Sequence, residues 1–246
     1  MTGVSRPVDP VGKSAGPAQE DTLTIHPAAV LFDMDGTLID SERIWEVALR
    51  ELAASYGGRL SQDARLAMIG SSMANSMAIL HEDLGQPWRD PTVGAAWLEQ
   101  RVAELFVDEL RWRPGALALL EAVCAARIPT ALVTSTTRPL VEVALDTLGR
   151  DRFDIVVCGD EVSAPKPDPA PYLTAAQLLN VPIERCVAIE DSPAGVASGL
   201  AAGAAVLAVP GDVPLDVADG VHLVESLANA DLALLGRLLT PLDLRP

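Results

Sequence analysis

The chain has 246 residues, 49% of them hydrophobic and 21% charged; that is enough apolar content to bury a sizeable core and too much to stay disordered throughout. Eighteen Lys and Arg against 34 Asp and Glu give a formal charge of -16, which repels nucleic-acid phosphates and anionic lipid over most of the surface. No nucleic-acid partner is therefore expected, and with no apolar run long enough to span a bilayer, no membrane partner either. Cys124, Cys158 and Cys186 are an odd number, widely spaced in apolar runs, unlike a disulfide framework or a metal cluster. They point to a reducing compartment. Without a secretory leader pattern, a cytoplasmic protein is expected, a monomer with a homodimer as the alternative.

Residues 1–22 carry Pro7, Pro10 and Pro17 among polar residues with no sustained periodicity, and read as a mobile tail. Gly12-Lys13-Ser14 resembles the end of a phosphate-cradling loop. Pro7 stands where that loop needs its first glycine, however, and no strand precedes it. The run Ala29-Val30-Leu31-Phe32 then ends abruptly in Asp33, as a buried parallel strand does before its loop. From about Ser41 to Val107 helix-like segments follow, with Ile44, Trp45, Ala48, Leu49 and Leu52 on one face before Gly57-Gly58.

Beyond this insertion, helical and apolar extended runs alternate. Pro114–Arg127 has a helical apolar face. Ala131-Leu132-Val133 leads into Thr134 and Ser135, and Ile155-Val156-Val157 leads to the loop around Lys166. Asp168-Pro169 supplies a helix cap and first-turn proline for a helix ending at Asn180. Val187-Ala188-Ile189 then leads into Glu190 and Asp191, Ser192-Pro193 opens another helix, and Ala205 to Val209 forms a last strand. The alternation predicts an α/β protein, a Rossmann-like doubly wound parallel sheet whose ligand crevice lies beyond the carboxyl ends of the strands. Its core would comprise residues 23–40 and 110–246, and residues 41–109 an inserted helical cap placed to close over that crevice.

The polar residues that end these strands belong together only if the fold joins them. Asp33 and Asp35 precede Gly36, and alone Asp-x-Asp-Gly is more often a turn. With Glu190 and Asp191 at another strand end, up to four carboxylates reach one edge, which a hard divalent cation, most naturally magnesium, would stabilise. Lys166 sits between two prolines in a stiffened loop.

At this point the chain resembles the haloacid dehalogenase-like superfamily, in particular its phosphatases and β-phosphoglucomutase-like members with a small helical cap after the first motif. The motifs are Asp33-Met34-Asp35-Gly36-Thr37-Leu38, Thr134-Ser135, Lys166 in Lys-Pro-Asp-Pro, and Glu190-Asp191-Ser192-Pro193-Ala194-Gly195. The resemblance implies Asp33 as nucleophile forming an aspartyl-phosphate and Asp35 as general acid and then base. It implies Mg2+ held by Asp33, the Asp35 carbonyl, Asp191 and Glu190. Lys166 and Thr134 would hold the transferring oxygens; the register of the second motif leaves Ser135 as the alternative to Thr134.

The same resemblance implies a small phosphorylated metabolite as partner, with hydrolysis favoured over mutase chemistry. Trp45 stands where such mutases carry a histidine, and Met73 where they carry the cap arginine that anchors a second phosphate. The cap also has no lysine for phosphonatase chemistry. The run Leu38-Ile39-Asp40-Ser41-Glu42 with Trp45 looks like that of bacterial sugar-phosphate phosphatases. Asp40, Ser41, Trp45, Gly70 and Ser71 are thus candidate substrate contacts. Met68, Met73 and Met77 read as cap packing. The expected function is a magnesium-dependent sugar-phosphate phosphatase, with a phosphomutase and a non-catalytic ligand- or protein-binding module as alternatives.

Overall fold

The computed structural model describes residues 26–211, 215 and 220–239; the tail at residues 1–22 and its Gly12-Lys13-Ser14 lie outside them. Six strands form one sheet: β1 (Ala29–Phe32), β2 (Thr130–Val133), β3 (Ile155–Val157), β4 (Cys186–Glu190), β5 (Ala205–Ala208) and β6 (Val221–Leu223). All five pairings are parallel, in the order β3-β2-β1-β4-β5-β6. This is the doubly wound order, with its crevice where the winding reverses between β1 and β4.

The strands are continuous apolar runs because both faces of the sheet are covered. With side chains alternating, Val30, Phe32, Leu132, Val187, Ile189 and Leu207 enter one core. Ala29, Leu31, Ala131, Val133, Ala188 and Val206 enter the other. Helices α1 (Glu42–Ser55), α2 (Gln62–Met68), α3 (Met73–Asp83) and α4 (Pro91–Glu109) come between β1 and β2. They are followed by α5 (Ala116–Ala125), α6 (Arg138–Leu148), α7 (Ala170–Leu178), α8 (Pro193–Ala202) and α9 (Leu232–Leu238). Residues of α5, α6 and α9 fill the first core, and residues of α7 and α8 fill the second. The four inserted helices pack mainly on one another, α1 along α4, and α4 also packs on α6. Their apolar side chains are therefore continuous with the first core.

Local departures from the sequence reading have local causes. β6 was not predicted, being three residues long and paired only along β5. Val209 falls just outside β5 and donates its N–H to the Glu190 carbonyl (2.8 Å). The helix predicted over 114–127 starts later, at Ala116, because Gly115 takes φ +82° against the Ala228 backbone. α7 starts at Ala170, with Asp168 Oδ1 accepting the Ala170 N–H (2.9 Å), and it ends before Asn180, whose φ is +56°. No helix among the described residues is long and apolar enough to cross a membrane. The three cysteines are free.

Candidate active site

The ends of β1, β2 and β4 and the loop after β3 converge. Asp33 follows β1 and donates its N–H to Ile189 of β4 (3.0 Å), which fixes its side chain at the junction of the two central strands. Gly36 turns the chain at φ +77°, and a Cβ there would lie 2.0 Å from Asp191 Oδ2, so only glycine lets this turn approach β4. Lys166, almost wholly buried, donates to Asp33 Oδ1 (2.7 Å), Glu190 Oε1 (2.6 Å) and the Val133 carbonyl (2.9 Å). Three acceptors match the three N–H bonds of its ammonium. Tyr172, from α7, donates to the same Glu190 oxygen (2.5 Å).

Asp35 is held by four donors. Oδ1 accepts from Ser41 Oγ (2.6 Å) and Trp45 Nε1 (3.0 Å), and Oδ2 from Thr136 Oγ1 (2.7 Å) and Thr134 Oγ1 (3.3 Å). Thr134 Oγ1 in turn accepts the Thr136 N–H (3.0 Å). Two of the donors to Asp35 come from the start of the insertion and two from the loop after β2, so this one carboxylate ties both parts together.

Asp33, Glu190 and Asp191 bring carboxylate oxygens within 4.8 Å of one another, all buried. Burial, then Glu190, push the Asp33 carboxyl up to about 8 against the pull of Lys166. Burial, then Asp33 and Glu190, hold Asp191 well above the ordinary carboxylate range. Burial opposes the charge on Lys166, but Asp33 and Glu190 outweigh it and keep the ammonium charged. Three buried carboxylates thus face one buried cation. Asp33 Oδ2 and Asp191 Oδ2 have no hydrogen-bond partner, a costly arrangement unless a ligand completes it. An all-oxygen donor set with two unsatisfied oxygens fits a hard divalent cation.

A cavity of about 60 Å³ lies over these groups, lined by Asp33, Asp35, Lys166 and Asp191 from below and by residues of the insertion from above. Of the candidate substrate contacts, Trp45, Gly70, Ser71 and Ser135 line it; Ser135 donates to the Gly70 carbonyl (3.3 Å). Thr134 lines it too and turns its hydroxyl to Asp35, so both members of the second motif reach the site in different directions. Two predicted contacts, Asp40 and Ser41, do not line the cavity. Asp40 is exposed and off the cavity wall: Ile39 pairs with Trp112 as an extended bridge, so Ile39 points inward and Asp40 outward. Ser41 is wholly buried off the wall, and its hydroxyl holds Asp35 rather than capping α1.

Met68, Met73 and Met77 all pack in or against the core as expected, and Met68 and Met73 also line the cavity. Sequence reasoning missed Thr136, Tyr172 and Arg65. Thr136 lies two residues beyond the second motif, a spacing that could have drawn attention to it; the others have no local signal. Arg65 places a cation on the cavity wall, where the sequence reading expected no cationic anchor in the cap.

A family model described as haloacid dehalogenase-like hydrolase matches residues 27–203. The chain belongs to the haloacid dehalogenase-like hydrolases. Hexitol phosphatase A of Escherichia coli is 37% identical over 186 residues, 75% of this chain and 84% of that protein. A phosphorylated carbohydrates phosphatase of Thermotoga maritima is 37% identical over 180 residues, 71% and 81% of the respective chains. The β-phosphoglucomutase of Clostridium difficile shares the fold, with a TM-score of 0.77 over 87% of this chain and 97% of that one at 22% identity. The expected fold and enzyme class, a phosphoric monoester hydrolase of this superfamily, are borne out.

Proposed function

We propose that the protein is a magnesium-dependent phosphatase of a small sugar or sugar-alcohol phosphate, working through an aspartyl-phosphate on Asp33. The observation that carries this reading is the constellation of Asp33, Asp35, Lys166 and Asp191 lining one cavity, in a chain similar to a hexitol phosphatase and a carbohydrate-phosphate phosphatase. Asp33 Oδ2, Asp191 Oδ2 and the Asp35 main-chain carbonyl would hold the cation. When bound, Mg2+ supplies positive charge that favours the ionised carboxylates and offsets the charge of the substrate phosphate.

Asp33 attacks phosphorus, and the bond from phosphorus to the ester oxygen breaks as Asp35 gives that oxygen a proton. Asp35 then takes a proton from water, which attacks phosphorus and frees Asp33 together with inorganic phosphate. Lys166 is held on Asp33 and the Val133 carbonyl, positioned to neutralise the phosphoryl oxygens as charge shifts. Glu190 accepts from both Lys166 and Tyr172, and in this reading it positions the lysine, with any contact to the cation made through water. Thr134 serves as the second-motif hydroxyl, and Ser135 faces the insertion.

The test is phosphate release from hexitol, hexose and pentose phosphates with Mg2+ and with EDTA. Release that requires the cation and favours one of these esters supports the reading. Turnover of none of them, or turnover undiminished in EDTA, contradicts it.

A further inference from the structure

The cavity holds one ion pair for which the chemistry above has no use. Arg65 of α2, 3% exposed, and Glu42 of α1, 7% exposed, line the same wall, with Trp45, Leu49, Met68 and Met73 around them. Arg65 Nη2 donates to the Glu42 carboxylate and to the Glu42 carbonyl (2.9 Å). Its Nε is buried with no acceptor in the protein. A buried ion pair is not needed for stability, since well-packed apolar residues of similar volume commonly do as well or better. An unmet guanidinium donor adds a further cost. Both costs fall on the wall of the cavity that Asp33 and Asp35 also line.

We infer that Arg65 and Glu42 form the subsite that reads the hydroxyls of the leaving alcohol, and that they select polyhydroxylated monophosphates over esters carrying a second anionic group. The inference rests on the phosphatase reading above. A hydroxyl both accepts and donates, so it can take the Arg65 Nε–H and give its own proton to the Glu42 carboxylate. The apolar side chains around the pair suit the C–H faces of a carbon chain. A second phosphate meets a pair that is already neutral, next to a carboxylate. Arg65 lies on α2, not at the Met73 position that starts α3, and its partnered, neutralised guanidinium gives it a different specificity.

The experiment measures kcat/KM of the wild-type enzyme, Arg65→Gln and Glu42→Gln with sorbitol 6-phosphate, sorbitol 1,6-bisphosphate and p-nitrophenyl phosphate, whose leaving group has no hydroxyl to accept from Arg65 before cleavage. The wild type should prefer the monophosphate to the bisphosphate. Arg65→Gln should lose about ten-fold or more on sorbitol 6-phosphate beyond its loss on p-nitrophenyl phosphate. Glu42→Gln unmasks the guanidinium charge and should raise the bisphosphate-to-monophosphate ratio about ten-fold, a gain that a merely structural pair does not give. Equal losses on all three esters, or an unchanged ratio in Glu42→Gln, overturn the inference. So does a wild type that hydrolyses p-nitrophenyl phosphate alone, which leaves the phosphatase chemistry standing; no release from any of the three overturns the phosphatase reading itself.

Discussion

Asp35 and Asp33 are two residues apart in the chain and differ in every physical respect. Asp33 is paired with a buried lysine and has one oxygen unsatisfied, whereas both Asp35 oxygens accept bonds from hydroxyl and indole donors. Neutral donors that can rotate or withdraw suit a carboxylate that must give and take a proton; a fixed ion pair suits one that must present a lone pair. Trp45→Phe keeps an aromatic ring, though a smaller one, and removes the Nε1 donor on Asp35, so kcat should fall about ten-fold, a loss of about 1.4 kcal/mol of transition-state stabilisation. Steady-state kinetics check it, and an unchanged kcat means that Trp45 serves packing alone. Lys166→Met leaves Asp33 and Glu190 without their shared cation in a buried site, where removing one partner costs about 3–5 kcal/mol. A denaturant melt should show that loss alongside the loss of turnover.

Strands β1, β2 and β4 deliver their candidate groups by the same device, an apolar strand that ends in, or just before, a polar residue. That is why Asp33, Thr134, Glu190 and Asp191 were legible in the sequence: an apolar run ending in a polar residue marks both the strand and the edge where its side chain emerges. Lys166 was legible through its flanking prolines and the family motif. The insertion was legible as helices but not as a surface. The Arg65–Glu42 pair spans 23 residues across two helices, and helical periodicity does not say which of two helices faces a cavity. Ser41 differs for another reason: it was expected to face the substrate, but it is buried and its hydroxyl donates a hydrogen bond to Asp35. Close packing between elements also carries the site. A Cβ on Gly195, in the first turn of α8, would fall 1.9 Å from Glu190 Oε2. Gly195→Ala should therefore push α8 from β4 and destabilise the protein by about 1–3 kcal/mol, seen as a lower urea midpoint. An unshifted midpoint would mean that the carboxylate can move aside freely.

On the scale of the whole molecule, a chain of charge -16 buries three of its carboxylates, Asp33, Glu190 and Asp191, in one cluster, so a cation bound there would couple to folding. In EDTA, Asp33 and Asp191 bind protons more tightly folded than unfolded, since both are raised from an ordinary value of 3.8. The Asp33 contribution to stability is fully present below that value and is lost as pH rises through about 8; the Asp191 contribution has the same sign and is likewise lost as pH rises above the ordinary carboxylate range. The melting temperature of the metal-free protein should thus fall toward pH 8 more steeply than that of Asp191→Asn, and Mg2+ should raise it at pH 8 by binding only the folded state. Thermal melts across pH with and without the cation check both statements; coincident curves for the two proteins contradict them.

The central claim is that Asp33 attacks phosphorus. Asp33→Asn keeps the side-chain shape and removes the nucleophilic carboxylate, and phosphate release from sorbitol 6-phosphate, measured beside a melting curve that shows the variant folded, tests that claim most directly. The account predicts turnover reduced by about a thousand-fold or more. A folded Asp33→Asn enzyme that releases phosphate at the wild-type rate contradicts it.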